Sequence, residues 1–427
     1  MTSVSLPDLP KGKEFEEYIS AFFQLMGNYI ERNIIEREVE EILELDIVAT
    51  DYRSSPPEIK LLEVKSGEWG FPDLFKVRGW MDYLNISKWV FVASKEKDKI
   101  DFFKEKAKRL NIDLVVIPNI KDVDISVWRF SYWVERNLLK HLNHKKKSQP
   151  DKKCFRALED YYFKVNSEIF FTESIIQKVH TLYSIFQEFP RISAKCGNEL
   201  IGNTFDKEYY DLPKKIYEDT YYECSYNDIQ ISTFIEHRAR LAILKSAIDY
   251  RLDKDAGIKD KTKNLKISDD IILKDLPQSF KEGLDVIFKD KYFHKYPLFW
   301  QWFMWLFGGF ILKDYEEKEY EVLSQKTGIP IEEIPNALKA YQILFPRDGG
   351  WFMDLPSSNI KLMKMFPVPF MGIGANYRRL LYTESGKFED LNLTGMYTLN
   401  DLIKWNNLTV EVLRGKRDYL PFSRSTL

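Results

Sequence analysis

The stretch ILELDIVATDYRSSPPEIKLLEVKSG, residues 42–67, decides how the front of this chain folds. Its two ends, ILELDIVAT (42–50) and EIKLLEVK (58–65), are rich in Ile, Leu and Val, side chains that suit a pleated, half-buried surface. Between them lies DYRSSPP, whose two prolines cannot supply ladder N–H groups and mark a turn. The stretch therefore predicts a β-hairpin. Asp46 sits amid apolar residues on its first strand, and Glu63 and Lys65 close its second. Residues two apart on a strand face the same side, so Glu63 and Lys65 share a face while Val64 turns into apolar packing.

Working outward, residues 13–27 carry Phe15, Tyr18, Ile19, Phe22, Phe23 and Met26 at three- and four-residue spacing, which predicts an amphipathic helix closed by Gly27-Asn28. Residues 32–39 supply a first strand. After the hairpin come a helix at 71–84, a buried strand at 89–94, a helix at 97–110 and another buried strand at 112–118. The order α-β-β-β-α-β-α-β implies a mixed sheet with helices on its faces. Beyond about residue 155 the pattern turns mainly helical. Residues 228–252 read as one long helix, and 319–341 as a helix, a Gly-containing turn and a helix. The fold class expected is an α/β N-terminal domain (1–130), a basic connector (131–154) and a mainly α C-terminal region (155–427). The connector holds KHLNHKKKSQPDKK, whose six lysines suit a solvated surface loop or a phosphate contact.

Bulk charge names no partner. The formal net charge is −2, split as 18 Lys/Arg and 24 Asp/Glu (−6) over residues 1–125 and 45 and 41 (+4) over the rest. A basic nucleic-acid surface is thus not visible in the bulk of the N-terminal part. Cys154, Cys196 and Cys224 form no CxxC pair, and no apolar signal core opens the chain, so a reducing cytoplasm is expected. The apolar run YPLFWQWFMWLFGGFIL (296–312) is shorter than the ~20 residues a spanning helix wants and is expected to be a buried helix. The five histidines lack paired-ligand spacing, and no phosphate-cradling GxxxxGK[ST] loop occurs. The glycine-containing 369–379 reads as a loop, and the tyrosine-rich 209–226 as helix packing or an interface, with base stacking the sharper alternative.

What remains is the set Asp46, Glu63 and Lys65. Acids inside apolar strands are costly unless paired or metal-bound. One acid from each of two strands about 4.8 Å apart reaches a common ion. Hard cations such as Mg²⁺ prefer such oxygens. A lysine beside them can position water and offset developing charge. The plainer reading is a salt bridge to Lys65 at a strand end.

The wider pattern favours the first reading. GKEFEEY (12–18), then ELDIVA, then LLEVKSG resembles the PD-(D/E)XK, restriction endonuclease-like nuclease superfamily, in its Mrr-type and Holliday-resolvase-type branches. Gly12, Phe15 and Glu16 match the pattern of the first helix, Asp46 the acid of the second strand, and Glu63, Val64 and Lys65 the Glu-x-Lys triplet. The resemblance covers roughly residues 10–120. It implies Mg²⁺ (or Mn²⁺) held by Asp46, Glu63 and the Val64 carbonyl, with Lys65 orienting or activating water. Glu16, or its neighbour Glu17, would serve a second metal or its water. Many relatives carry a glutamine on the next helix; here Lys76 and Arg78 stand there as candidate substrate contacts. The implied activity is a metal-dependent DNA endonuclease, in prokaryotic restriction or anti-phage defence, working as a homo-oligomer or with a partner protein and without a membrane. RNA cleavage by the same site, or a non-catalytic nucleic-acid or protein-binding module, are the alternatives.

Overall fold

The computed structural model describes residues 11–118, 126–151, 153–171, 226–257, 278–344, 352–354 and 360–363. The chain divides into two compact units, one spanning Ser5–Trp133 and one beginning at Val134.

The first unit runs α1 (Lys13–Leu25), β1 (Tyr29–Arg37), β2 (Glu41–Asp51), β3 (Glu58–Lys65), α2 (Phe71–Leu84), β4 (Trp89–Ala93), α3 (Ile100–Arg109) and β5 (Ile112–Val116). The five strands form one sheet in sequence order. β1, β2 and β3 are antiparallel, and β3, β4 and β5 are parallel. The sheet is therefore mixed, as short turns permit antiparallel neighbours and helical crossovers permit parallel ones. On one face, Phe15, Tyr18, Ile19 and Ala21 of α1 pack with Ile30, Ile47, Ala49, Leu62, Val64 and Val92. The alternation of β3 thus sends Leu62 and Val64 into this core and leaves Glu63 and Lys65 to the other side.

α1 begins at a glycine for a backbone reason. Gly12 has φ 54° and ψ −128°, a region closed to residues with a Cβ, and its N–H donates to Ser66 Oγ at 2.7 Å. That bond ties the start of α1 to the residue after Lys65, so the first turn carrying Glu16 lies beside the end of β3.

In the second unit the described helices are α4 (Ser126–Ser148, which begins in the first unit), α5 (Lys153–Phe171), α6 (Tyr226–Asp255), α7 (Gln278–Ile287), α8 (Tyr296–Trp305), α9 (Glu316–Thr327) and α10 (Ile334–Leu344). A three-stranded antiparallel sheet joins β6 (Phe310–Leu312), β7 (Phe352–Asp354) and β8 (Ile360–Met363), in the order β6-β8-β7. A buried polar knot lies in this unit: Glu135 Oε1 accepts from Tyr162 Oη at 2.6 Å and from Arg238 Nη2 at 2.9 Å.

Two expectations change here. The basic connector is helical: α4 continues through the lysines to Ser148, and only the turn around Pro150 separates it from α5. Lysine is a good helix former, and cations in a last turn suit the helix dipole. The apolar run 296–312 is not one helix. α8 stops at Trp305, Gly308 (φ 71°) and Gly309 (φ 77°) turn the chain, and Phe310–Leu312 becomes a strand. The run is buried along its whole length, so apolar periodicity could not separate helix from strand. Among the described residues no helix is long and apolar enough to cross a membrane. The expected loop 369–379 and all but the last residue of 209–226 lie outside the described residues.

Candidate metal centre and active site

The pairing of β2 with β3 runs as far as Ile47 opposite Leu62, and Asp46 and Glu63 are the next residues of the two strands. Asp46 Oδ2 accepts the backbone N–H of Val64 at 2.9 Å, which fixes that carboxylate between the two strands. Glu63 is 2% exposed. Its Oε1 lies 2.8 Å from Lys65 Nζ and 3.7 Å from Lys76 Nζ, so two cations converge on one carboxylate oxygen. Lys76 also lies 4.0 Å from the centre of the Trp80 ring, a cation–π contact that holds its stem over α2.

Glu16 is 7% exposed. Its Oε2 stands 3.2 Å from Lys13 Nζ and 3.8 Å from Arg32 Nη2, and makes no hydrogen bond among the described residues. Arg32 is itself buried on β1 and sits 5.4 Å over the ring of Tyr132, whose hydroxyl donates to Gln24 Oε1 at 2.6 Å. Glu17 is fully buried beside it.

The electrostatics follow from this crowding. Asp46 is pushed up to about 8, first by burial and then by the negative charges of Glu63 and Glu16, against the Val64 N–H and Lys13. Lys65 is raised even though burial pulls it down, because the hydrogen bond to Glu63 and the charges of Glu63 and Asp46 outweigh that pull. Asp46 thus feels two neighbouring acids, a repulsion that a divalent cation would relieve.

The donor set fits a hard cation held partly by water. Asp46, Glu63 and the Val64 carbonyl offer oxygen only, and Mg²⁺ is usually bound by one or two carboxylates while keeping several waters. Among the described residues no three His, Cys, Asp or Glu side chains converge as a ready ligand set. Glu16 is turned toward Lys13 and Arg32 instead, close enough to Asp46 to be felt but not beside it as a ligand.

Of the two basic residues expected on α2, the structure brings Lys76 to the acids and Arg78 elsewhere. Arg78 pairs with Asp82 and donates to the Leu110 carbonyl at 3.3 Å. Sequence reasoning missed Lys13, Arg32 and the brace behind Lys65. In that brace Ser94 N–H donates to the Lys65 carbonyl at 2.9 Å, and Ser94 Oγ donates to the Ser66 carbonyl at 2.9 Å. Arg32 carried no distinct signal, because its strand, YIERNIIER, also holds Glu31, Asn33, Glu36 and Arg37. Comparison of the chain with protein-family models, with curated proteins and with solved structures finds no match.

Proposed function

We propose that this chain is a metal-dependent endonuclease of the PD-(D/E)XK type that hydrolyses DNA. The observation that carries this reading is the contact between the two strands: Asp46 Oδ2 accepts the Val64 N–H at 2.9 Å, and Lys65 pairs with Glu63 at 2.8 Å. The mixed sheet, with α1 packed on one face and the triplet on the other, suits the restriction endonuclease-like architecture.

In this reading Asp46, Glu63 and the Val64 carbonyl hold Mg²⁺ or Mn²⁺. A cation so bound polarises a phosphate oxygen and acidifies water. The chain's own groups do the rest. With its pKa raised, Lys65 is an ammonium at neutral pH, so it orients the attacking water and offsets charge as a donor rather than acting as a base. Lys76, held over Trp80, meets the phosphate backbone as a point charge. Glu16, steadied by Lys13 and Arg32, acts on the site through its charge, which Asp46 feels. A nuclease unit joined to a large helical unit suits restriction or anti-phage defence in the cytoplasm, with the second unit sensing, targeting or oligomerising.

The test is nicking of supercoiled plasmid DNA by the full chain in Mg²⁺, beside Glu63→Ala and a parallel single-stranded RNA arm. Cutting of DNA that needs the metal and is lost in Glu63→Ala supports the reading. Cutting of RNA alone moves the same chemistry to RNA. Cutting that survives in Glu63→Ala overturns the site.

A further inference from the structure

The parallel strands β3, β4 and β5 end side by side at Lys65, Ala93 and Val116. α2 starts six residues after Lys65, and α3 seven after Ala93. Ligands of open α/β sheets bind outside this end of the strands.

Phenylalanines gather there from both helices. Phe71 stacks on Phe103 with centroids 4.8 Å apart and planes 19° apart. Phe103 is in turn 5.3 Å from Trp69, whose Nε1 donates to the Lys95 carbonyl at 2.8 Å. This inner group is anchored. Two further rings stand out from it: Phe75, 6.4 Å from Phe71, and Phe102, 5.9 Å from Phe71. They are 60% and 48% exposed. The Lys106 ammonium lies 5.1 Å from the centre of Phe102. Its other neighbour, Glu105 at 3.8 Å, is an exposed pairing that binds it weakly. At the other end Lys76 follows Phe75 in the chain and reaches Glu63.

Exposed rings held by an anchored aromatic base, with an ammonium at each end, match what an unpaired nucleic-acid strand needs. Bases stack on π-faces and phosphates meet cations.

We propose that Phe75 and Phe102 form a stacking platform for an unpaired DNA strand, with phosphates on Lys76 and Lys106, that leads the strand toward Glu63 and Asp46. The substrate class is then DNA with a single-stranded stretch. The proposal rests on the nuclease reading for the strand's destination, but the platform can be measured without cleavage.

The experiment is fluorescence anisotropy of an end-labelled oligothymidylate with the full chain, in EDTA and in Ca²⁺. Phe75→Leu/Phe102→Leu keeps apolar bulk and removes the π-faces. Phe75→Tyr/Phe102→Tyr keeps the faces. Stacking of two bases predicts at least about a tenfold loss for the Leu pair and retention within about threefold for the Tyr pair. Equal binding by wild type and Leu pair overturns the platform, as does an absence of oligothymidylate binding. Preference for blunt duplex or for oligouridylate overturns it too. Concentration-dependent self-association that the Leu pair abolishes makes the patch an interface between copies and also overturns it. Plasmid cutting without oligothymidylate binding sinks the platform and leaves the nuclease standing. Binding by the platform without any metal-dependent cutting does the reverse.

Discussion

Arg32 Nη2 lies 3.8 Å from Glu16 Oε2, and both side chains are buried on the sheet's helix-covered side. Arg32 Nε and Nη1 find no hydrogen-bond acceptor among the described residues, so the guanidinium is held there by Glu16 and by the Tyr132 ring. Removing the cation leaves a buried carboxylate with Lys13 as its remaining ion-pair partner among the described residues. Arg32→Met should therefore destabilise the first unit by about 3 kcal/mol, the low end for breaking a buried pair. Adding Glu16→Gln should restore much of that loss. Urea denaturation of the four proteins of this cycle checks it, and additive losses would mean the two residues do not interact.

Asp46 supplies a pH test in the metal-free protein. Its folded pKa of about 8 stands above its ordinary value of 3.8, so the native state holds a proton that the unfolded chain has already lost. Stability attributable to this group is therefore greatest below about pH 4 and declines as pH rises toward 8. Asp46→Asn does not titrate and can keep the bond from the Val64 N–H. Its melting temperature in EDTA should exceed that of wild type at pH 9, and the difference should shrink at pH 5. A difference that does not depend on pH would show that Asp46 ionises freely.

Lys65 is an ammonium paired with Glu63, so its loss removes a water-orienting donor and leaves both carboxylates in place. Lys65→Ala should lower cleavage by about 10²-fold or more while cation affinity is kept or increases. Single-turnover cleavage and calorimetry on the same preparation separate these. Retained turnover removes Lys65 from the mechanism.

Most of the first unit was legible because its signals are local. The branched runs of β2 and β3, the turn at Pro56-Pro57 and the spacing from Phe15 to Phe23 each specify one element, and each element lies within a few residues of expectation. The triplet on β3 was legible for the same reason, since alternation alone puts Glu63 and Lys65 on one face. What was not legible depends on contacts between distant parts of the chain. Gly12 meets Ser66 across 54 residues, and Arg32 reaches Glu16 from a neighbouring strand. The helix over 71–84 could be read, but which of Lys76 and Arg78 faces the acids is set by how α2 packs. In the second unit, the lysines of 140–148 read as a loop because charge runs suit both solvent and helix. Only their continuity with the start of α4 decides for helix.

The most direct measurement is calorimetric titration of Mn²⁺ into the metal-free full chain, with Asp46→Asn and Glu63→Gln alongside. If these carboxylates form the cation site, wild type binds Mn²⁺ and each variant loses at least about tenfold in affinity. Equal binding by all three proteins, or no binding by wild type, would contradict a metal centre at Asp46 and Glu63.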